Sequence, residues 1–208
     1  MKHSHFSKQL RRIVLQTVSL AVVACVASTA NAQIFTEAGF GGDFSGDSAA
    51  PTALGILAPG TSNVSGAVTL GANNDRDLVT FSIAPGDTLT AVDIQEFGGV
   101  GNHFLGLAAG NTAPGAGSEF LFAGLVNVPG TGTPLSLLGN TTDLAFGAPG
   151  APATLGPGDY TLFFNETVVT DPIIFSANLV VTTAVPEPTS GILLGGLGLL
   201  GLARRRRR

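Results

Sequence analysis

The chain has 208 residues, of which 44% are hydrophobic, with one cysteine, no tryptophan and a formal net charge of −4 at pH 7. A single cysteine excludes an intramolecular disulfide framework. The slightly acidic balance argues against a nucleic-acid-binding domain, because phosphates need lysine and arginine partners.

Residues 1–32 are predicted to be a secretory signal peptide. A basic segment precedes an apolar stretch, and small residues follow it. Ala30 and Ala32 satisfy the A-x-A cleavage rule, which places the mature N-terminus at Gln33 and makes signal peptidase a partner. The alternative is lipidation at Cys25, which would tether the protein by that end.

The stretch between Gln33 and Val185 is strongly acidic. It contains thirteen Asp and Glu and one basic residue, Arg76, so its net charge is about −12. This charge argues against nucleic acid and anionic lipid surfaces as partners, and it favours solubility and divalent cations. Because the only cysteine lies in the predicted signal, the fold must be stabilised by an apolar core.

The pattern of this stretch predicts an all-β fold. Short apolar runs alternate with polar residues and are separated by Gly, Pro, Asn and Asp, which is typical of antiparallel strands in a sandwich or barrel. We expect a β-sandwich over residues 64–184, with 33–63 as a weakly patterned extension that adds one edge strand. The predicted core-facing residues are Val79, Phe81, Ile83, Val92, Ile94, Tyr160, Leu162, Phe164, Ile173, Phe175, Ala177, Leu179 and Val181.

Two turns are predicted to be type II. Each places proline where φ must be near −65° and glycine where φ must be positive. They are Pro85-Gly86-Asp87 and Pro157-Gly158-Asp159.

Three segments together resemble the bacterial pre-peptidase C-terminal domain. They are residues 74–89 (NDRDLVTFSIAPGDTL), 104–107 (FLGL) and 158–162 (GDYTL). That family is a small, jelly-roll-like β-sandwich appended to secreted enzymes and surface proteins. The resemblance spans residues 64–182 and implies an antiparallel jelly-roll-like sandwich here.

A calcium site is predicted at the turn before one of these strands. Asp75 and Asp77, with Asn73 beside them, offer several oxygen ligands, which Ca²⁺ prefers. The alternative is a polar turn held by side-chain hydrogen bonds to the backbone.

Patterns for catalysis are weak. His103 is the only histidine after the signal, and no cysteine accompanies it, so Cys-His catalysis and a usual zinc site are excluded. We expect His103 to be a surface or packing residue. A hydrolase would need Asp93, Glu96, Asp159 and Glu166 gathered in one cleft. We therefore predict a non-enzymatic protein, with a secreted hydrolase as the weakest alternative.

The tail, residues 185–208, has three elements in a fixed order: a Pro-Glu-Pro triplet, an apolar segment at 192–203, and five arginines. The prolines keep the triplet extended, the apolar segment can enter a bilayer as a short helix, and the arginines hold its end in the cytoplasm. The residues concerned are Pro186, Glu187 and Pro188, followed by Arg204, Arg205, Arg206, Arg207 and Arg208.

This order resembles the PEP-CTERM sorting tail, which membrane proteases called exosortases recognise and process in Gram-negative bacteria. The resemblance implies a protein that is exported, anchored briefly in the inner membrane, and then placed at the cell surface or in the extracellular matrix. Exopolysaccharide and matrix proteins are the expected partners. The alternatives are an unprocessed membrane anchor for the tail and, for the domain, a calcium-assisted module that binds a glycan or peptide.

Overall fold

The computed structural model of the chain describes residues 32–69, 75–98, 101–130, 132–167 and 172–184. The predicted signal peptide up to residue 31, Asn73, and the tail with its triplet, its apolar helix and its arginines lie outside the described residues. Within the ranges described, no helix has the length and apolar character that crossing a bilayer requires.

The described residues form an all-β fold of two five-stranded sheets. Sheet A has the order β1-β3-β10-β5-β8, and sheet B has the order β2-β4-β9-β6-β7. The strands are β1 (Gln33–Thr36), β2 (Thr52–Ile56), β3 (Gly60–Val68), β4 (Arg76–Ile83), β5 (Asp87–Phe97), β6 (His103–Ala109), β7 (Phe122–Val126), β8 (Leu135–Ser136), β9 (Gly158–Asn165) and β10 (Ile173–Thr183). Two short 3₁₀ turns, Glu37–Phe40 and Gly117–Glu119, supplement them.

The core lies between the two sheets. Every residue predicted from alternation to face inward is buried. Phe164 of sheet B stacks on Phe175 of sheet A with ring centroids 4.1 Å apart, and Phe97 meets both rings edge-on at 5.4 and 6.5 Å. Burying one such side chain stabilises the fold by roughly 1.5–3 kcal/mol, so these three rings are a main source of cohesion between the layers.

The prediction of purely antiparallel sheets is wrong at two edges. β1 runs parallel to β3, and β2 runs parallel to β4. The first four strands alternate between the two sheets. Each edge strand is therefore separated along the chain from its sheet neighbour by one strand of the other sheet, which runs back in the opposite direction. Alternating hydrophobicity reports which face a residue occupies and not the direction of the neighbouring strand.

Residues 33–63 supply the edge strand of both sheets, β1 and β2, and the start of β3. The predicted boundary between residues 63 and 64 falls inside β3. Leu57, just after β2, is completely buried. The Gln33 Oε1 atom accepts hydrogen bonds from the Ala58 N–H at 2.8 Å and the Ser62 hydroxyl at 3.2 Å. These contacts make the segment part of the sandwich.

One predicted type II turn is confirmed and the other is wrong. At Pro85-Gly86, Gly86 has φ of 90° and the Asp87 N–H donates to the Ala84 carbonyl at 3.0 Å. At the second position, Gly158 has φ of 148°, and it begins β9 rather than closing a turn.

Strand register gives the sandwich two distinct ends. Gln33 pairs with Ser62 at the start of β3, while β10 ends where Thr183 pairs with Asp87. We call this the proximal end, because both ends of the described domain lie there. The opposite, distal end holds the starts of β4, β6 and β10. The eleven residues of β10 span roughly 35 Å between the two ends.

Candidate functional site

Three carboxylates meet at the distal end. Glu37, Asp43 and Asp77 each place one oxygen within 4.8 Å of the others. Glu37 follows β1, Asp43 lies in the loop after the 3₁₀ turn, and Asp77 is the second residue of β4. Asp77 is 0% exposed, Glu37 is half-buried and Asp43 is exposed. We call these three residues the carboxylate cluster.

Glu37 is positioned by the end of a strand pair. The last β1–β3 partners are Thr36 and Ser65. Beyond them, the Ala67 N–H donates to the Glu37 Oε1 atom at 2.7 Å. The Glu37 carboxylate thus accepts a β3 hydrogen bond at a point where β1 no longer pairs with β3. A Cβ at Gly66 would collide with the Glu37 carboxylate, so only glycine leaves it room.

Asp77 occupies a position where the alternation of β4 calls for an apolar residue. It faces inward with Val79 and Phe81, and neither of its carboxylate oxygens accepts a hydrogen bond from the described residues. Its contact with Glu37 becomes a hydrogen bond only when the two carboxylates share a proton. The pKa of Asp77 is raised to about 9. The largest cause is burial, followed by the hydrogen bond with Glu37 and by the negative charges of Glu37, Asp75 and Asp43.

No basic side chain in the stretch between Gln33 and Val185 balances the negative charge of the carboxylate cluster. Arg76 is the only lysine or arginine in that stretch, and the Arg76 Nε–H donates to the Gly46 carbonyl at 2.9 Å. A cation from solution would supply the missing charge. Two oxygens bound to one Ca²⁺ lie up to about 5 Å apart, a spacing that the cluster meets without rearrangement.

The predicted calcium ligands are placed in different ways. Asp77 is in the cluster, and Asp75 lies beside it. Burial, then the charges of Asp43 and Glu37, raises the pKa of Asp75, against a lowering hydrogen bond from the Thr69 backbone. Sequence reasoning missed Glu37 and Asp43. The sequence feature that could have identified them is a glycine-rich turn that carries both acids directly after β1. No local pattern, however, indicates that this turn lies beside β4.

The four acids considered for a hydrolase are dispersed over the sandwich. Asp93 and Glu96 lie within β5 of sheet A, and Asp159 lies in sheet B, where it accepts a hydrogen bond from the Ser82 hydroxyl at 2.6 Å. Glu166 is buried between the sheets. The fold does not bring these four carboxylates into one cleft.

A buried contact between a histidine and a carboxyl group forms a second polar feature at the distal end. The His103 Nδ1 atom lies 2.6 Å from the Glu166 Oε2 atom, and both side chains are 0% exposed. The Phe97 ring lies 5.3 Å from the imidazole. His103 is therefore a packing residue, one of the two roles expected for it, and its partner is a carboxylate that the sequence did not link to it.

Comparison with known proteins gives a family match and a structural similarity. A family profile described as the PEP-CTERM protein-sorting motif matches residues 184–208. Among solved structures, the pre-peptidase C-terminal domain of a collagenase from Bacillus anthracis is similar to 63% of this chain over 93% of its own length, with 14% identity and a TM-score of 0.36. No curated protein matches significantly. Residues 184–208 are thus a PEP-CTERM sorting motif, which directs an exported protein to the cell surface through an exosortase.

Proposed function

We propose that this protein is a non-enzymatic β-sandwich module displayed at the cell surface or in the extracellular matrix. In this proposal the apolar segment 192–203 holds the exported protein briefly at the inner membrane, and an exosortase then processes the tail. Matrix polymers or matrix proteins are the partners of the displayed domain.

The observation that carries the proposal is the junction between domain and motif. The Thr183 hydroxyl donates to the Asp87 Oδ1 atom at 2.7 Å, and the Ala184 N–H donates to the Gly86 carbonyl at 3.1 Å. The sorting motif begins at residue 184. The described sandwich therefore continues into the motif with no spacer, and its central strand β10 would carry the attachment.

This junction also suggests an orientation for the displayed domain. Attachment through the end of β10 places the proximal end at the cell. The carboxylate cluster would then face outward, roughly 35 Å from the attachment point. A partner in the matrix would meet the distal end first.

Mass spectrometry of the exported protein tests the sorting proposal. We expect an N-terminus at Gln33 and loss of the residues that follow the Pro-Glu-Pro region, because the triplet is the recognition element. A variant with Pro186, Glu187 and Pro188 all replaced by alanine should keep the full tail. An exported wild-type form that still ends in Arg208 would contradict processing.

The carboxylate cluster favours a second function, a calcium-assisted binding module. Glu37, Asp43 and Asp77 would hold the ion, with Asp75 beside them. A bound Ca²⁺ would neutralise the buried charge and link the end of β1 to the start of β4. The buried carboxylate of Asp77, which faces two further acids and no basic side chain, is the observation that supports this function, since surface acids alone do not indicate a metal.

Thermal denaturation in a calcium titration tests this second function. An ion at one hundred times its dissociation constant stabilises the native state by about 2.7 kcal/mol, which raises Tm by roughly 5–10 °C in a domain of this size. Asp43→Asn should reduce the shift, whereas Asp93→Asn, on the far face of sheet A, should not. An unchanged Tm at millimolar calcium would rule the site out.

A further inference from the structure

An aromatic surface covers the outer face of sheet B. Phe104 of β6 lies 5.2 Å from Phe163 of β9, 5.9 Å from Phe120 and 5.5 Å from Phe146, measured between ring centroids. Phe120 is buried beneath the others, and Gly106 makes space for its ring. Phe104 and Phe163 are half-buried, and Phe146 is 55% exposed. We call Phe104, Phe146 and Phe163 the phenylalanine platform.

Phe146 is held on this platform in an unfavourable backbone conformation. Its φ is 58°, and among the described residues it is the only non-glycine residue with positive φ. A bulky residue rarely adopts this conformation, and such strain persists only where the surrounding structure enforces it. Gly117 permits a close approach of Phe146, because a Cβ at Gly117 would collide with it. Phe146 thus combines an exposed aromatic ring with an unfavourable backbone conformation.

A groove of about 390 Å³ adjoins the platform. Leu125 lines the groove, is 46% exposed, and pairs with Phe104 in the β6–β7 register, so the two surfaces are continuous. Asn102, Thr133 and Asp143 are among the residues that line the groove, and the Asp143 Oδ2 atom also accepts hydrogen bonds from the Asn140 amide and the Thr142 hydroxyl. The volume of the groove lies in the range of small-molecule sites, and polar groups make up much of its wall.

The surroundings determine which ligand fits. The edge of β7 is already covered, because the Ala145 N–H donates to the Ala123 carbonyl at 2.7 Å and the Asp143 carbonyl presses on Gly124. A peptide cannot add there as a new strand. An anionic polymer is disfavoured by Asp143 and by a mature stretch with a single arginine. A neutral sugar has C–H faces that pack on aromatic rings and hydroxyls that bond to amides and carboxylates.

We propose that the phenylalanine platform and the adjoining groove form a binding site for a neutral glycan chain. The rings of Phe104, Phe146 and Phe163 pack against sugar faces, while Asn102, Thr133 and Asp143 bond to hydroxyl groups. The site rests on the proposed display of the domain but is separate from the carboxylate cluster. Phe163 belongs to β9, the neighbour of β4, but it lies on the outer face of sheet B, whereas Asp77 faces inward.

Affinity electrophoresis of the purified exported protein tests this site. The gels contain dextran, mannan, galactan or a soluble β-glucan, with alginate as the anionic comparison. We expect at least one neutral polymer to retard the protein and alginate not to do so. Retardation should persist in EDTA, which separates this site from the cation site, and it does not depend on tail processing. Failure of all four neutral polymers, or binding lost in EDTA, would overturn the proposal.

The decisive variant is Phe146→Gly, because it removes the ring and also relieves the positive φ. We expect binding to weaken tenfold or more while Tm stays the same or rises, an outcome that general misfolding cannot produce. Ile174→Ala, at an exposed apolar position in sheet A, is the matched control and should bind normally. Unchanged binding by Phe146→Gly would refute the site. Self-association of the wild type that Phe146→Gly abolishes would instead identify a second copy as the occupant.

Discussion

Asp77→Asn is expected to stabilise the protein by roughly 2–4 kcal/mol at pH 8 when divalent cations are absent. In the wild type, a buried carboxylate faces Glu37 and Asp43 with no basic partner. The folded state must therefore take up a proton or bear the charge. Asparagine has neither cost, and its amide N–H can donate to Glu37. Urea denaturation in EDTA measures the difference in the free energy of unfolding.

The same residue sets a pH dependence whose sign follows from its raised pKa. Asp77 has a pKa of about 9 in the folded protein against 3.8 as the ordinary value, so between these values the native state holds a proton that the unfolded chain releases. Its contribution to stability is complete below about pH 4 and is lost as pH rises toward 9. Without cations, the wild type should therefore lose stability across this range, and Asp77→Asn should lose much less.

Calcium should reverse this trend, because a bound cation replaces the proton and binds better as the carboxylates ionise. The stabilisation by calcium should then grow with pH in the wild type and be largely absent in Asp77→Asn. Asp93→Asn is the matched control, since it removes an acid from the outer face of sheet A. If Asp77→Asn and Asp93→Asn show the same pH slope in EDTA, the cluster does not carry the effect.

His103→Ala is expected to destabilise the protein by about 3–5 kcal/mol. The substitution removes the imidazole that lies 2.6 Å from the buried Glu166 carboxylate. It also leaves a cavity beside Phe97, whose ring packs on the imidazole. Removing one member of a buried polar pair is costly because the remaining Glu166 carboxyl group stays buried and loses its contact with the imidazole. Urea denaturation of the variant measures this loss.

A double variant separates the cost of the charge from the cost of the cavity. His103→Phe combined with Glu166→Leu replaces the two buried polar side chains by apolar ones and should recover most of the stability lost in His103→Ala. Glu166→Gln should cost less than His103→Ala, because an amide can keep a hydrogen bond to the imidazole. A loss below 1 kcal/mol for His103→Ala would show that the pair is not a structural element.

Local patterns predicted the strands correctly where one face is buried. β10 alternates from Ile173 to Val181, and each apolar residue of that series lies in the core. The Pro85-Gly86 turn was also predictable, because proline and glycine restrict φ at adjacent positions. The turn at Gly158 was not, since this glycine, with φ of 148°, pairs with Ile83 of β4 as the first residue of β9.

The carboxylate cluster shows where local patterns stop being informative. Asp75 and Asp77 were recognised because they are neighbours in the chain before a strand. Glu37 and Asp43 were missed because their approach depends on the parallel pairing of β1 with β3 and on the loop that follows β1. The edge strands β1 and β2 are short, and their direction depends on which sheet each joins. No local residue pattern encodes that choice.

The sorting motif is encoded in contiguous residues, because its Pro-Glu-Pro triplet, apolar segment and arginines follow one another directly in the chain. The all-β class was likewise predictable from the alternation of apolar and polar residues, since the face that a side chain occupies depends only on its position along its own strand. The carboxylate cluster, the His103–Glu166 pair and the phenylalanine platform were decided by the tertiary structure alone. Each joins residues from strands or loops far apart in the chain, and only the pairing and stacking of the two sheets brings them into contact.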